Sequence, residues 1–252
     1  MTYYTEKVLD IKWWVPNHLF TLTTTYPKEM TFLPGQFARL GLPSEAGKEP
    51  DIWRAYSMVN HPSEQALSFY SIVVPDGAFS PKLASLKSGD TIYIGKQVFG
   101  FLTLDRFPNG GKTLWLMSTG TGLSAFISIL KDEKTWQRFE QVVLVHGVRH
   151  ANELSYQDEI RDATHACAGR FTYLPLVTRE AYQSFPQARI TTMIEQDAWK
   201  KHTGLELRAE HDCVMLCGNP EMLTQARKML SEMGFQAERR GVPGNLAVEK
   251  YW

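Results

Sequence analysis

The sequence predicts a two-part protein, an antiparallel β-barrel or sandwich followed by an α/β unit built on a parallel sheet. Three observations carry this. Short β segments and turns fill the chain from Thr5 to about Gly100, whereas apolar segments alternate with helical patterns after the polar stretch Arg106–Lys112. A glycine-rich turn from Ser118 to Ala125 then joins a buried strand to a helix. The boundary falls between about residues 101 and 112, and dividing the chain as 1–105 and 106–252 gives each part enough residues for its own core.

In the first part, Val8, Leu9, Ile11 and Trp13 predict one strand, and further strands are expected at Phe20–Thr25, Phe37–Leu40, Leu67–Val74 and Thr91–Ile94. Turns at Pro34-Gly35, Pro75-Asp76-Gly77 and Ser88-Gly89-Asp90 separate them. At most one short helix is expected there, near Pro81–Leu86. In the second part the strands are Leu114–Met117, Val142–Val145, Phe171–Val177 and Cys213–Leu216. Leu123, Phe126, Ile127 and Leu130 repeat at helical spacing and predict one buried face. Leu223, Ala226, Leu230 and Met233 repeat the pattern between Asn219-Pro220 and Gly234, which act as start and stop signals.

Gly120 and Gly122 stand directly between strand and helix. Without β-carbons the backbone turns sharply and its N–H groups can approach a pyrophosphate, while the helix N-terminus favours negative charge. The match to G-x-G-x-x-G/A is imperfect, since Ser124 or Ala125 stands near the close-packing position, so the reading rests on the strand–turn–helix context; the alternative is an ordinary sheet turn. GGKT at Gly110–Thr113 is not a phosphate-binding P-loop, because Arg106 replaces its first glycine and the segment precedes a strand. Arg149 ends the next strand, Arg179 follows another and Arg189 lies beyond it. Arginines at a sheet's carboxyl edge suit a ribose 2′-phosphate and favour NADP over NAD; a solvated basic rim is the competing reading.

RAYS, at Arg54–Ser57, places a planar cation, an aromatic ring and a hydroxyl within four residues. In a strand, Arg54 and Tyr56 share a face suited to phosphate and a flat ring, but sheet packing and a surface ion pair account for them equally well. GAFS, at Gly77–Ser80, offers a turn with backbone donors and a hydroxyl.

Composition narrows the classes. The 27 basic and 27 acidic residues cancel, which gives no support for a nucleic-acid or membrane-surface protein. No stretch approaches the roughly 18 consecutive apolar residues of a membrane span, and MTYYTEKVLDIKWW lacks a signal peptide's apolar core, so the expected location is cytoplasmic. Cys167, Cys213 and Cys217 suit a reducing compartment, and two cysteines on one strand do not complete a metal site. HExxH and GxSxG motifs are absent and no metal is expected.

RAYSMVN at 54–60, VPDGAFSPKL at 74–83, STGTGLSAF at 118–126, VHGVRH at 145–150, LCGNPEM at 216–222 and the terminal VEKYW together resemble the ferredoxin/flavodoxin–NADP reductase family, especially its bacterial members, over essentially the whole chain. The resemblance implies an N-terminal antiparallel FAD-binding β-barrel and a C-terminal α/β NADP-binding domain with a parallel sheet. By the same resemblance, Arg54 meets the FAD phosphates, Tyr56 stacks on the isoalloxazine, Ser57 sits near the flavin's reactive nitrogen, and Gly77 and Ser80 meet the flavin pyrophosphate. Gly120, Thr121 and Gly122 form the NADP pyrophosphate turn, Arg149, Arg179 and Arg189 anchor the 2′-phosphate, and Cys217 and Gly218 match the nicotinamide-side motif. Ala125 departs from the frequent G-T-G-x-x-P form, and Trp252 resembles the terminal aromatic that packs on the FAD adenosine.

The implied activity is hydride transfer between NADP(H) and FAD and single-electron transfer to ferredoxin or flavodoxin, by a monomer with no nucleic-acid partner. Two alternatives stand beside it: an NAD(P)H-dependent quinone, flavin or oxygenase-component reductase, and a non-catalytic nucleotide-binding regulatory module.

Overall fold

The computed structural model describes residues 2–45, 47–167, 169–239 and 241–250. Six strands make the first sheet: β1 (Tyr3–Val15), β2 (Leu19–Thr25), β3 (Phe37–Leu42), β4 (Ile52–Ser57), β5 (Ala66–Ile72) and β6 (Thr91–Gly95), in the order β4-β3-β6-β1-β2-β5. Every pairing in it is antiparallel. Residues 3–7 of β1 pair with β6, whereas Val8 onward pairs with β2, with register shifts at Val8/Asp10 and Trp13/Val15. Such bulges bend a strand, so one strand serves both sides of the curved sheet. An antiparallel bridge between Met58 and Phe69 joins the two edges. Phe20, Leu22, Leu40, Phe69, Ile92 and Ile94 fill the interior. The short helix α1 (Ser80–Ala84) follows β5, close to the expected position.

The second half holds β7 (Gly111–Thr119), β8 (Phe139–Val148), β9 (Phe171–Val177), β10 (Asp212–Gly218) and β11 (Leu246–Lys250), all parallel, in the order β11-β10-β7-β8-β9. Helices α2 (Leu123–Leu130), α3 (Glu133–Arg138), α4 (Gln157–Ala166), α5 (Ile190–Glu195), α6 (Trp199–Thr203) and α7 (Pro220–Glu232) connect them. The chain runs outward from β7 through β8 to β9 and then returns to β10 on the other side of β7. That reversal puts a crevice at the carboxyl ends of β7 and β10, where open α/β sheets bind ligands.

Two helices depart from the sequence expectation. All eight residues of α2 are buried, so it has no solvent face. One side packs on the sheet through the cluster holding Leu116 and Met215, and the other meets Leu19, Val59 and Tyr70 of the barrel. Ser128 Oγ donates to the carbonyl of Asn60 at 2.8 Å, which satisfies a hydroxyl in that seam. In α7, Leu223, Ala226 and Leu230 are buried, but Met233 falls past the last turn and is 38% exposed. Asn219 caps α7 by accepting from the backbone N–H groups of Glu221 and Met222.

The turn between β7 and α2 is one 3-10 turn, Gly120–Gly122. Its two glycines do different work. A β-carbon on Gly122 would lie 2.5 Å from the Cys217 carbonyl oxygen, so β10 and α2 approach as closely as they do because the side chain is missing. Gly120 has φ +52° and open space where a β-carbon would stand. Gly122→Ala is therefore expected to destabilise the protein by roughly 1–3 kcal/mol through overpacking, whereas Gly120→Ala costs only about 1 kcal/mol of left-handed strain. Equilibrium unfolding in urea checks the contrast; equal losses would contradict it.

Candidate functional site

A cleft of about 490 Å³ opens at the predicted carboxyl edge. Its walls bring Gly120, Thr121, Arg149, Arg179 and Arg189 together, and His18, Leu19, Tyr70 and Ile72 from the barrel close the far side. Below the turn lies His146, fully buried, whose Nε2 is 3.2 Å from the Gly120 carbonyl oxygen. Burial pushes this imidazole down to about 4, opposed by the Gly120 hydrogen bond, so at neutral pH the ring is uncharged and Nε2–H donates to the turn. Ser124 Oγ donates to the Thr121 carbonyl at 2.7 Å and steadies the same bend. Ala125, where the motif departs from proline, is buried in the first turn of α2 without breaking it.

The arginines fall into two environments. Arg179 and Arg189 flank a smaller recess of about 390 Å³ with Thr178, Gln187 and Thr192. Arg149 is not part of that recess. Its Nη2 lies 3.5 Å from Glu153 Oε1 and 3.3 Å from His18 Nε2, although its backbone carbonyl accepts from Arg179 N–H at 3.0 Å and so stays beside the recess.

The barrel residues form a separate wall. Arg54 is exposed on β4 and donates to the carbonyl of its neighbour Trp53, leaving most of its donor fork directed outward. The Tyr56 ring packs 5.9 Å from Phe79, and burial holds its hydroxyl above the usual phenol range. Ser57 is buried, and its Oγ has no hydrogen-bond partner. Gly77, in the turn after β5, and Ser80, the first residue of α1, come together, and Ser80 Oγ accepts from Val74 N–H at 2.9 Å. Cys217 and Gly218 end β10 beneath the glycine turn. Trp252 lies outside the described residues.

Sequence reasoning missed Glu249. This carboxyl is 6% exposed on β11, in register with Cys217, and its Oε2 accepts from Phe101 N–H at 2.8 Å while Oε1 has no partner. Ser57 pairs across the sheet with Phe37; Gly100 stands between, since a β-carbon there would be 3.3 Å from the Phe37 ring and 3.2 Å from Glu249 Oε2. Two unsatisfied buried polar atoms, Ser57 Oγ and Glu249 Oε1, therefore occupy neighbouring parts of the seam. Buried polar atoms normally find partners, so such orphans mark a place for a polar ligand. Burial raises Glu249 to about 7 despite the Phe101 hydrogen bond. Only the terminal VEKYW pattern signalled it.

An antiparallel barrel joined to a parallel sheet with a glycine turn at its switch point defines a nucleotide-dependent oxidoreductase, and residues 116–228 match the family model described as an oxidoreductase NAD-binding domain. Ferredoxin–NADP reductase A of Sorangium cellulosum is 38% identical over 98% of this chain and 90% of its own length. The flavodoxin/ferredoxin–NADP reductase of Escherichia coli is 36% identical over 98% of both. A Neisseria gonorrhoeae ferredoxin NADP+ reductase, solved with bound FAD and NADP, superposes with a TM-score of 0.92 at 33% identity over all of both chains. The chain belongs to the ferredoxin/flavodoxin–NADP reductase family.

Glu249 makes stability depend on pH in a defined sense. An unfolded carboxyl ionises near 4.5, but the folded one keeps its proton to about 7. Stability therefore falls as pH rises through that interval, by on the order of 3 kcal/mol at most. Glu249→Gln, which keeps an acceptor for Phe101 N–H, is expected to match the parent near pH 5 and to exceed it near pH 8. Urea unfolding at the two pH values checks this, and an equal difference at both would contradict it. His146 acts oppositely, removing stability as pH falls from 6.5 towards 4.

Proposed function

We propose that this protein is an FAD-dependent ferredoxin/flavodoxin–NADP reductase, using residues 1–105 to hold FAD and residues 106–252 to hold NADP(H). The observation that carries the reading is the cleft that gathers the glycine turn and the arginines against the barrel. Both cofactors fit residues of this chain. The orphaned Ser57 hydroxyl and the Glu249 carboxyl present polar atoms that a flavin ring edge can satisfy, and Gly120 leaves space for a pyrophosphate against the turn's N–H groups. The chemistry supplied by bound FAD is acceptance of hydride from NADPH and release of its electrons one at a time to ferredoxin or flavodoxin.

The chain's own residues bind, orient and hold protons. Arg54, Gly77 and Ser80 hold the FAD phosphates, Tyr56 covers the ring, and Ser57 directs its hydroxyl to the reactive nitrogen. Gly120, Thr121 and Gly122 take the NADP pyrophosphate on backbone N–H groups. Arg179 and Arg189 grip the 2′-phosphate from the recess they share, with Arg149 at its border. Cys217 and Gly218 shape the nicotinamide end of the crevice, and the resemblance assigns Trp252 to the adenosine of FAD. Glu249 carries its proton at Oε1, because Oε2 is occupied by Phe101 N–H, and a carboxyl titrating near 7 can hold or yield that proton at neutral pH. The protein works as a cytoplasmic monomer; among the described residues no helix is long and apolar enough to cross a membrane.

The purified protein is expected to show a visible flavin spectrum that bleaches rapidly on anaerobic addition of NADPH, and to reduce ferredoxin or flavodoxin in turnover assays. Absence of flavin would overturn the proposal, and a flavin that stays oxidised would indicate a binding module instead. Replacing both Arg179 and Arg189 by Ala is expected to lower kcat/KM for NADPH by on the order of tenfold or more per arginine, since each charged hydrogen bond contributes roughly 1.5–3 kcal/mol. NADH turnover should be nearly unchanged. Steady-state kinetics with the two nucleotides decides it.

A further inference from the structure

Arg149 is claimed by two acceptors that belong to the protein. Glu153, in the short turn after β8, accepts from Arg149 N–H at 2.9 Å through Oε2 and faces the Arg149 guanidinium at 3.5 Å through Oε1. His18, between β1 and β2, offers Nε2 at 3.3 Å from the same guanidinium nitrogen, and that ring nitrogen lies 3.8 Å from Glu153 Oε1. The carboxylate is the best shielded of the three, with its side chain 14% exposed against 35% for His18 and 48% for Arg149. Backbone N–H groups of Arg149 and His150 hold it, whereas the guanidinium, nearly half exposed, lies in the wall of the cleft.

We infer that Glu153 is a specificity-determining residue that competes with the nucleotide's 2′-phosphate for Arg149. The inference rests on the arginine cluster being the 2′-phosphate site. Arg179 and Arg189 form their recess without Arg149, so an incoming phosphate meets two cations with no ion pair among the described residues and one already engaged. To add its charge to theirs, Arg149 must exchange the Glu153 carboxylate for phosphate. Glu153 also places a negative charge on the wall of the cleft that holds the arginines, and charges within a cleft are only partly screened. Both effects lower affinity for a 2′-phosphorylated nucleotide and leave its unphosphorylated counterpart alone. The consequence is easier release of the NADP(H) product or substrate, with the discrimination that Arg179 and Arg189 provide lowered by the same factor.

Glu153→Gln isolates the charge, since glutamine keeps an oxygen for Arg149 N–H. Calorimetric titration of the flavin-loaded protein at fixed pH with adenosine 2′,5′-bisphosphate is expected to show about three- to fivefold tighter binding for this variant, the range of an exposed ion pair. Adenosine 5′-monophosphate should bind as it does to the parent, and most of the gain should be lost in an Arg149→Ala background, where only the direct effect of the Glu153 charge is left. Unchanged or weaker bisphosphate binding, with flavin content and melting temperature retained, would overturn the inference. If Glu153→Gln loses flavin, His18→Ala, which removes only the second acceptor, should still tighten bisphosphate binding about twofold, and a null result there would overturn it equally. Arg179→Ala and Arg189→Ala separate the two layers: if neither weakens bisphosphate binding, the phosphate site itself has been misread and the inference falls with it.

Discussion

A helix with no face turned to water needs a partner on every side, and α2 obtains its partners from both halves of the molecule. Leu116 and Met215 lie in the same core as Leu19, Val59 and Tyr70, so barrel and sheet share one apolar interior around this helix. Burial of apolar surface on that scale is the main stabilising term in a fold. It also fixes the N-terminus of α2 relative to the barrel. Tyr70 donates to Ser155 Oγ at 2.8 Å, and Thr21 Oγ lies 2.5 Å from the Tyr156 hydroxyl, which aligns the seam further along. The cleft's two walls are therefore parts of one packed body, and its width is set by side-chain packing.

Within that frame, backbone geometry and charge divide the labour. The glycine turn offers N–H groups and no side chains, and the ring beneath it stays uncharged, so the turn does not draw anions by a fixed cation of its own. Positive charge enters from the strand ends instead, through Arg149, Arg179 and Arg189. The turn thus offers an anion dipoles, and the strand ends offer it full charges. Such separation lets phosphate preference be altered without rebuilding the turn.

The sequence exposed these features unevenly, for reasons visible in particular residues. Buried parallel strands read as continuous apolar runs, so Leu114–Met117, Val142–Val145, Phe171–Val177 and Cys213–Leu216 were legible and fall within or span β7–β10. β4 was harder because Arg54 and Ala55 are exposed and its pattern is mixed. β11 was missed since LAVEK is five residues long and lies beyond a loop. The all-round burial of α2 escaped because helical spacing reveals one apolar stripe and says nothing of what covers Ser124 and Ser128. Candidate residues whose role is local, such as the glycines, declared themselves. Those defined by a distant partner did not: Glu249 gains its meaning from Phe101, and Arg149 from His18, contacts that span 148 and 131 residues of chain.

The placement of β11 has a consequence for biosynthesis. Leu246–Lys250 pairs in parallel with β10 and delivers Glu249 to a backbone N–H near the middle of the chain. A chain growing from its N-terminus can complete its barrel, and much of its parallel sheet, before residues 246–250 are available to pair. The carboxyl beside Cys217 is therefore placed after most of both sheets can exist. Contacts of such sequence separation form slowly relative to local ones. Seating of Glu249 is thereby a late event of folding, and a barrel formed ahead of it would still lack the carboxyl that meets Phe101 N–H.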